Sequence, residues 1–331
     1  MKVELGCFAV ELVGGSCGVA GWWQAVFAPF LRKQAANPIS CELVGVAEFS
    51  RRQTALFLGD DFTLFAERPF FTDPSSQLSV YTAGAGQFVL VFPDAAVVQA
   101  SVAGAGQIRG LVHERALTNG RLEDILYTSL ASILRRRGIY LVHAFAAEKN
   151  GRCVLIVGPP GSGKTTAGLS LLQAGWHHLS NDVTLITQSA NSVIAWPTPG
   201  YFGIRSHTFD LLPHRGLEPG NMSTDQVLHR LNGRFGSPAA VTHLIFPQVT
   251  AQAATTLTDL PAAIGWSRLM AESMDCWDQE ALSGHMAVLK AVCVETAVFT
   301  LQSGHDIRHL DQLLQPTNEN LGSSGIQGVD N

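Results

Sequence analysis

The sequence predicts an α/β protein in which a smaller, sheet-rich α+β domain precedes a larger domain of alternating strands and helices. Short apolar runs broken by Gly, Pro, Asn and Asp fill the chain up to about residue 120, a pattern typical of sheet. Near residue 160 a buried-strand pattern leads directly into a glycine-rich turn and an apolar-periodic helix. A length of 331 residues, 46% of them hydrophobic, suits two cores. We therefore expect domains at residues 1–120 and 121–314, followed by a disordered tail, rich in Asn, Gly and Ser, at 315–331.

The first region contains several strand patterns and one strongly apolar stretch. Strands are predicted at residues 43–47, 77–82, 88–92 and 97–102. The apolar stretch, residues 17–31, includes Gln24 and Pro29 and is shorter than the roughly 20 residues that cross a bilayer. It predicts a core or interface helix. The residues before it lack the pattern of a secretory signal peptide.

The second region opens with a predicted helix at residues 122–134. Glu123 and Asp124 lie in its first turn and three arginines, residues 135–137, follow its last turn, so the charges suit the helix dipole and predict a solvated helix end. Asn150-Gly151 predicts a tight hairpin between strands at 140–147 and 153–157. Further strands are predicted at residues 178–180, 183–187, 193–196, 241–246 and 292–301. Further helices are predicted at residues 165–174, 224–231, 262–274 and 306–314.

The composition argues against several classes of function. Lys and Arg number 22 and Asp and Glu 27, so the formal net charge is -5 and no basic excess is present to neutralise a run of phosphates. The six cysteines are spread over the chain without a CxxC pair, which argues against a zinc ribbon and a disulfide scaffold. We expect a cytoplasmic protein with reduced thiols and with neither a nucleic acid nor a membrane as partner.

The strongest motif is Gly158-Pro159-Pro160-Gly161-Ser162-Gly163-Lys164-Thr165, a complete GxxxxGK[ST] loop between a strand pattern and a helix pattern. Glycines let successive N–H groups point at phosphate oxygens, and the helix N-terminus adds the positive end of its dipole. We expect this phosphate loop, with Thr166 after it, to bind a nucleoside triphosphate. Lys164 would reach the β and γ phosphates, and the Thr165 hydroxyl would bind Mg²⁺. The alternative is a turn that only joins strand to helix.

A carboxylate close to the phosphate loop would decide whether the nucleotide is used in catalysis. Asp182 is the nearest candidate, because residues 178–182 return to the sheet directly after the helix that follows the loop. Its carboxylate could hold Mg²⁺ or accept the proton of an acceptor hydroxyl. An equally weighted alternative is an Asp at a strand end that makes turn hydrogen bonds. Glu295 is a weaker candidate for the same role.

Residues from about 140 to 186 resemble the catalytic domain of HPr kinase/phosphorylase and of the HPr-kinase-like serine kinases. The matching features are His143 in a strand, the hairpin, the phosphate loop, Gly175 at the helix end, and Asn181-Asp182 at the place of the two aspartates of the family. The resemblance implies a P-loop kinase domain of the HPr kinase type. It also implies that His143 orients or polarises the acceptor; the alternative is a core histidine.

The chain departs from the family at Asn181, where the family usually has an Asp. An asparagine can hydrogen-bond a phosphate but cannot accept a proton, which leaves Asp182 as the acidic candidate of the pair. In the family a later loop binds the protein substrate. The segment 199–205 is the nearest equivalent, which makes Arg205 a candidate for binding phosphate or acceptor, followed by Arg215, Arg230 and Arg234.

The resemblance implies an ATP-dependent kinase that uses Mg²⁺ and transfers the γ-phosphoryl group to a serine hydroxyl of a protein or peptide. Asp182, His143 and Lys164 would be its catalytic residues, and a homo-oligomer would be in keeping with the family. Two alternatives stay open: a nucleotide-binding scaffold or switch without transfer, for which Asn181 is the best support, and a small-molecule kinase or ATPase. The choice between ATP and GTP has no signature in the sequence.

Overall fold

The computed structural model describes residues 1–70, 73–84, 86–118, 120–250, 252–272 and 277–315, and it is a mixed α/β structure with two large sheets. The tail predicted to be disordered, 315–331, lies almost wholly outside the described residues. Within those ranges, no helix is both long and apolar enough to cross a membrane. The described cysteines are free thiols at positions 7, 17, 41, 153 and 293.

The strands of the first sheet are β1 (Lys2–Glu4), β2 (Ala9–Gly15), β3 (Leu31–Arg32), β4 (Ile39–Val46), β5 (Thr63–Phe70), β6 (Asp73–Thr82), β7 (Gln87–Phe92), β8 (Ala96–Ser101) and β9 (Gln107–His113). These nine strands lie in the order β3-β1-β2-β4-β9-β8-β7-β6-β5. Strand β4 runs parallel to both of its neighbours, whereas the other pairs are antiparallel. The four strands predicted in this region are confirmed as β4, β6, β7 and β8, with shifted ends.

The first region contains a core helix and a short second helix. Helix α1 (Cys17–Phe27) confirms the predicted core helix, because Val19, Trp23 and Phe27 are buried on one side. It ends before Pro29, which lies in a 3₁₀ turn, Ala28–Phe30. Helix α2 (Arg51–Ala55) is a short helix opened by a capping box from Ser50.

Helix α3 (Arg121–Arg135) follows the predicted domain boundary and packs against β8 and β9 of the first sheet. It also contacts β10 (Ile139–Val142) of the second sheet. The division at residue 120 stays a prediction, since one continuous apolar cluster includes residues from both predicted regions.

The second sheet carries the phosphate loop and is built around the parallel strands β12, β18 and β20. Its strands after β10 are β11 (Ala144–Lys149), β12 (Arg152–Val157), β13 (His177–Ser180), β14 (Thr184–Gln188), β15 (Val193–Trp196), β18 (Ala239–Val249), β19 (Thr256–Asp259) and β20 (Ala297–Ser303). The main path runs β10-β14-β15-β18-β12-β11-β13, with β20 beside β18 and β19 beside β20. A separate hairpin consists of β16 (Tyr201–Ile204) and β17 (Gly220–Ser223).

Helices cover both faces of this sheet. They are α4 (Lys164–Gln173), α5 (Thr224–Leu231), α6 (Ala262–Ala271), α7 (Gln279–Glu295) and α8 (Leu310–Leu313). The predicted helix at 224–231 is confirmed, and the predictions for α4 and α6 are confirmed with shifted ends. Residues 273–274, the end of the predicted helix 262–274, lie outside the described residues. The predicted helix at 306–314 is a 3₁₀ turn, Ile307–His309, followed by the short α8.

Three predictions of strands and of a loop are wrong. Residues 140–147 do not form one strand, because the chain leaves β10 at His143 to enter β11. Residues 292–295 are the last turn of α7 and not the start of a strand, which begins at Ala297. The β-branched run is helical because Val288, Leu289 and Val292 bury one helix face. The segment 199–205 is only partly a loop, since β16 occupies most of it.

The three arginines at the end of α3, residues 135–137, do not form a solvated helix end. Arg135 is 3% exposed. Arg136 donates two hydrogen bonds of 2.8 Å to the Asp278 carboxylate and another to Glu280. Arg137 donates to the carbonyl oxygen of Ala105. Tertiary packing overrides the helix-dipole interpretation, because partners distant in sequence reach this end of α3.

Replacing Gly168 by alanine is expected to destabilise the fold. Gly168 lies where α4 crosses β11, and a Cβ atom would come within 2.5 Å of the Phe145 ring. Overpacking of this kind costs about 1–3 kcal/mol, which outweighs the helix-propensity gain of about 1 kcal/mol.

Gly21 in α1 provides a matched control for this prediction. A Cβ atom there meets nothing within 4 Å, so Gly21→Ala should stabilise the protein. Urea unfolding of both variants tests the prediction. Equal shifts of the unfolding midpoint in the same direction would contradict it.

Candidate functional site

The phosphate loop, residues 158–165, connects β12 to α4. Strand β12 is fully buried from Cys153 to Val157, and α4 begins at Lys164. Gly161 and Gly163 have φ angles of +87° and +102°, a region that side chains disfavour. The two glycines thus let the chain curl around the N-terminus of α4, where N–H groups without helical partners face outward.

Lys164 folds back over the loop. Its side chain is 6% exposed, and its Nζ donates to the carbonyl oxygens of Gly158 and Pro159. Burial lowers the pKa of Lys164, while the negative charges of Asp182 and Glu272 act in the opposite direction. A cation held in this way is available for a phosphate group that replaces the loop carbonyls as its partner.

The phosphate loop opens into a cavity of about 570 Å³, a volume typical of small-molecule sites. Nine predicted site residues line this cleft, and these are His143, Pro160, Gly161, Gly163, Lys164, Thr165, Thr166, Asp182 and Arg205. Among the described residues of the loop, Gly158, Pro159 and Ser162 do not line it. The structure therefore brings the predicted catalytic groups, the metal candidates and Arg205 to the same cleft.

Asp182 follows β13, on the β11 side of the loop strand. Burial raises the pKa of Asp182, and both the positive charge of Lys164 and a hydrogen bond from Asn181 partly offset this rise. The Asn181 Nδ2 donates to Asp182 Oδ2 at 2.9 Å. This carboxylate thus faces the phosphate loop in a setting that increases its basicity.

Asn181 has a supporting position and is not in the lining of the cleft. It is 5% exposed, and its amide donates a second hydrogen bond, of 2.8 Å, to the carbonyl oxygen of Tyr201. The Asn181 side chain therefore links the Asp182 carboxylate to β16 through two hydrogen bonds. The expectation that Asn181 could hydrogen-bond a phosphate is not supported by this placement.

His143 lies at the break between β10 and β11. Its main-chain N–H donates to the carbonyl oxygen of Glu272 at 3.1 Å. Burial, together with the nearby Lys164 cation, lowers the pKa of His143 to about 4, against a weaker effect of a backbone hydrogen bond with Asp182. The imidazole is therefore neutral at physiological pH, and it lies near the Lys164 cation and the main chain of Asp182.

The remaining arginine and glutamate candidates occupy different places. The Arg205 guanidinium lies 3.5 Å from the point that a Cβ atom of Gly161 would occupy, so it borders the phosphate loop. Arg230 donates to the carbonyl oxygen of Gly216, and Arg234 donates to His177. The lining of the cleft does not include Arg215, Arg230, Arg234 or Glu295. Glu295 is the last residue of α7.

Glu123 and Asp124 line the cleft at the start of α3, a position that the sequence pattern did not predict. Glu123 accepts a 3.1 Å hydrogen bond from the Tyr201 N–H, and its carboxylate fills the space beside Gly200. Burial and the charges of Asp124 and Asp182 raise its pKa well above the usual value. Burial and Asp182 raise the pKa of Asp124 to about 8, with a smaller opposing effect of Arg121. Their positions in a helix first turn pointed only to dipole compensation.

The donor set at the loop suits Mg²⁺. This cation prefers oxygen ligands and is commonly bound by one or two protein groups together with substrate phosphates. The Thr165 hydroxyl and the Asp182 carboxylate supply such oxygens at the cleft. In the part of the chain that the structure describes, no group of three or more His, Cys, Asp or Glu side chains could hold a metal ion without a substrate.

Comparison with known proteins identifies no family. No protein-family model and no curated protein matches the chain. A solved structure of the HPr(Ser) kinase/phosphatase from Coxiella burnetii aligns with 52% of this chain and 92% of its own length, at 15% identity and a TM-score of 0.27. A likeness this distant does not support a shared activity, so function has to be inferred from the site itself.

Proposed function

We propose that the protein is an ATP-dependent kinase that transfers the γ-phosphoryl group to a serine hydroxyl of a protein or peptide. The observation that carries the proposal is the juxtaposition, in one cleft, of a GxxxxGK[ST] loop and a basic carboxylate, Asp182, close enough to Lys164 for each to shift the other's pKa. A serine as acceptor is implied by the resemblance of residues 140–186 to HPr-kinase-like serine kinases.

In this proposal the phosphate loop binds and orients the triphosphate. Backbone N–H groups of the loop and the N-terminus of α4 would hold its oxygens, and Lys164 would leave the carbonyl oxygens of Gly158 and Pro159 to pair with the β and γ phosphates. Arg205, which borders Gly161, would neutralise charge on the transferring group. Bound Mg²⁺ would supply further charge neutralisation at the phosphates, with the Thr165 hydroxyl as its protein ligand, which leaves the Asp182 carboxylate free to accept a proton.

In the proposed transfer step, Asp182 accepts the proton of the acceptor hydroxyl. The acceptor oxygen forms a bond to the γ-phosphorus while the bond from that phosphorus to the β–γ bridging oxygen breaks, and ADP leaves with the electron pair. The acceptor proton passes to the Asp182 carboxylate. His143, neutral because of its low pKa, would hydrogen-bond the acceptor without adding charge.

The experiment uses the purified chain with Mg²⁺ and γ-labelled ATP, with and without a lysate of its source, followed by a gel and thin-layer chromatography. A labelled protein band that is absent when the Lys164→Ala variant replaces the wild type would support a protein kinase. Label that appears on a metabolite or on free phosphate, at a rate that added protein does not change, would favour a small-molecule kinase or an ATPase. Tight ATP binding without transfer would favour a scaffold or switch.

Replacing Asn181 by aspartate is expected to shift the pH dependence of transfer to higher pH. The substitution removes an N–H donor from Asp182 Oδ2 and places a second carboxylate beside it. Both changes raise the pKa of Asp182 further. The Asp182 carboxylate must be ionised to accept the proton. On acidification, the Asn181→Asp variant should therefore lose transfer at a higher pH than the wild type.

Asn191, exposed in the turn between β14 and β15 and outside the lining of the cleft, supplies a matched Asn→Asp control. The pH profile of kcat/KM for the two variants tests the prediction. An acid limb that stays at its wild-type pH in Asn181→Asp would show that Asp182 is not the group that limits transfer.

A further inference from the structure

The cleft extends past the phosphate loop on the side away from Asp182. Its wall there consists of Val249 and Thr250 at the end of β18 and of Ser303, Gly304 and His305 at the end of β20. Both strands run parallel to β12, so their carboxyl ends meet the phosphate loop at the same edge of the sheet. In open α/β sheets ligands bind at this edge. We call these five residues the β18/β20 wall.

Ser303 has a buried hydroxyl without a partner. The residue is 7% exposed, and its Oγ makes no hydrogen bond to any described residue. This oxygen is 3.9 Å from the point where a Cβ of Gly163 would lie, which places it beside the phosphate loop. Leaving a hydroxyl buried and unpaired is unfavourable, so its position in a ligand-sized cleft points to a ligand atom as its partner.

The backbone of the wall is held in place by neighbouring groups. The Gly304 N–H donates to Thr255 Oγ1 at 3.1 Å, and the His305 N–H donates to the carbonyl oxygen of Gln252 at 3.2 Å. At Gly304 a Cβ atom would lie 2.5 Å from the main chain of Ala254, so the two segments pack backbone to backbone. Ser303 and His305 are thereby fixed before any ligand binds.

The chemistry of the wall differs from that of the rest of the cleft. None of its five residues is acidic, and Val249 is 64% exposed, which leaves an apolar surface beside Gly163. On the side of the cleft near Thr166, two hydroxyls already pair with each other, since Thr208 Oγ1 and Thr166 Oγ1 lie 3.2 Å apart. An apolar surface with one free hydroxyl suits an uncharged, flat group with polar edges.

We propose that the β18/β20 wall binds the nucleoside end of the triphosphate, with the base against Val249 and His305 and a ribose or base atom hydrogen-bonded to Ser303. The inference rests on the proposed nucleotide binding. With the γ-phosphate at Lys164 and Arg205, the chain of phosphates leads away from the Asp182 carboxylate, so the nucleoside falls on the opposite side of the loop. The free Ser303 hydroxyl can donate or accept, so it suits adenosine and guanosine alike.

The test compares ligands with and without a nucleoside. Binding of MgATP, MgGTP and magnesium tripolyphosphate to the full chain is measured by isothermal titration calorimetry, for the wild type and for Ser303→Ala and Val249→Ser. We expect Ser303→Ala to weaken MgATP binding by about three- to tenfold, the effect of one hydrogen bond, and to leave tripolyphosphate binding within twofold of wild type. Val249→Ser should act in the same direction. Ser189→Ala, at an exposed turn, is the matched control.

The outcomes separate the inference from the function on which it rests. Unchanged ATP affinity in both variants, with tripolyphosphate still bound, would overturn the wall as the nucleoside site and leave the phosphate loop intact. Equal losses for ATP and tripolyphosphate would also overturn it, because the wall would then contact phosphate. If the wild type bound neither ligand, the proposed function would fail, and the nucleoside site with it.

Discussion

Replacing Lys164 by methionine is expected to lower kcat/KM for phosphoryl transfer by on the order of 100- to 1000-fold, the usual effect of removing one charged donor from a transition state. Methionine keeps the length and apolar body of the side chain, so the buried stem stays packed. The lost interactions are those of Nζ, which in the free protein bonds to the carbonyl oxygens of Gly158 and Pro159. Nucleotide binding should weaken as well, because no cation remains at the β and γ phosphates. Steady-state kinetics and calorimetry measure both effects.

Lys290→Met is the matched control, since Lys290 is exposed on α7 and is not in the lining of the cleft. It should behave as wild type. Thermal unfolding of Lys164→Met distinguishes loss of function from loss of fold: burial lowers the pKa of this lysine, so its removal should not destabilise the free protein. Transfer at the wild-type rate in Lys164→Met would show that the loop does not bind the transferring phosphate.

Replacing Asp182 by asparagine is expected to reduce transfer by about 100- to 10,000-fold, as for the loss of a general base, while ATP still binds. Wild-type transfer should fall as the pH falls through the pKa of Asp182, which burial raises above the ordinary value for aspartate. Asparagine has no proton to gain, so this acid limb should be absent from the residual activity. A pH profile of kcat for both proteins tests the assignment.

Asp259→Asn in the exposed strand β19 provides the control for removing a negative charge. It should leave both the rate and the pH profile unchanged. If Asp182→Asn kept an acid limb at the wild-type pH, another group would be the proton acceptor, and Asp124, with a pKa of about 8 in the same cleft, would be the first to examine.

Local signals were sufficient for most elements of the site. The phosphate loop could be found because its function requires glycine at set positions within a strand-loop-helix unit, and that unit is contiguous in sequence. The tight hairpin at Asn150-Gly151 is confirmed for the same reason, as both residues have the positive φ angles that the dipeptide tolerates. Asp182 and His143 could be named because they lie close to the loop in sequence, and both line the cleft.

Interactions between distant segments were beyond reach of the same reasoning. Glu123 lies in the cleft beside Tyr201, which is 78 positions away in sequence and whose N–H donates to the Glu123 carboxylate. The strand predicted over 292–301 failed in its first half because the valines of α7 pack on the sheet, which overrides β propensity. Similarly, Asp278 and Glu280 cover the end of α3 and turn an expected solvated arginine into an ion-paired one.

The sequence by itself determined the α/β class, the phosphate loop and the carboxylate that follows it, because these depend on glycine conformations and on apolar periodicity within a few residues. Only the tertiary structure decided what surrounds that loop. It brought Arg205 and Asp124 into the cleft, turned Asn181 into a clamp on Asp182, and left the Ser303 hydroxyl free beside Gly163. The physical reason is that burial and charge depend on three-dimensional neighbours, and the pKa values and unpaired groups that define a site follow from those neighbours.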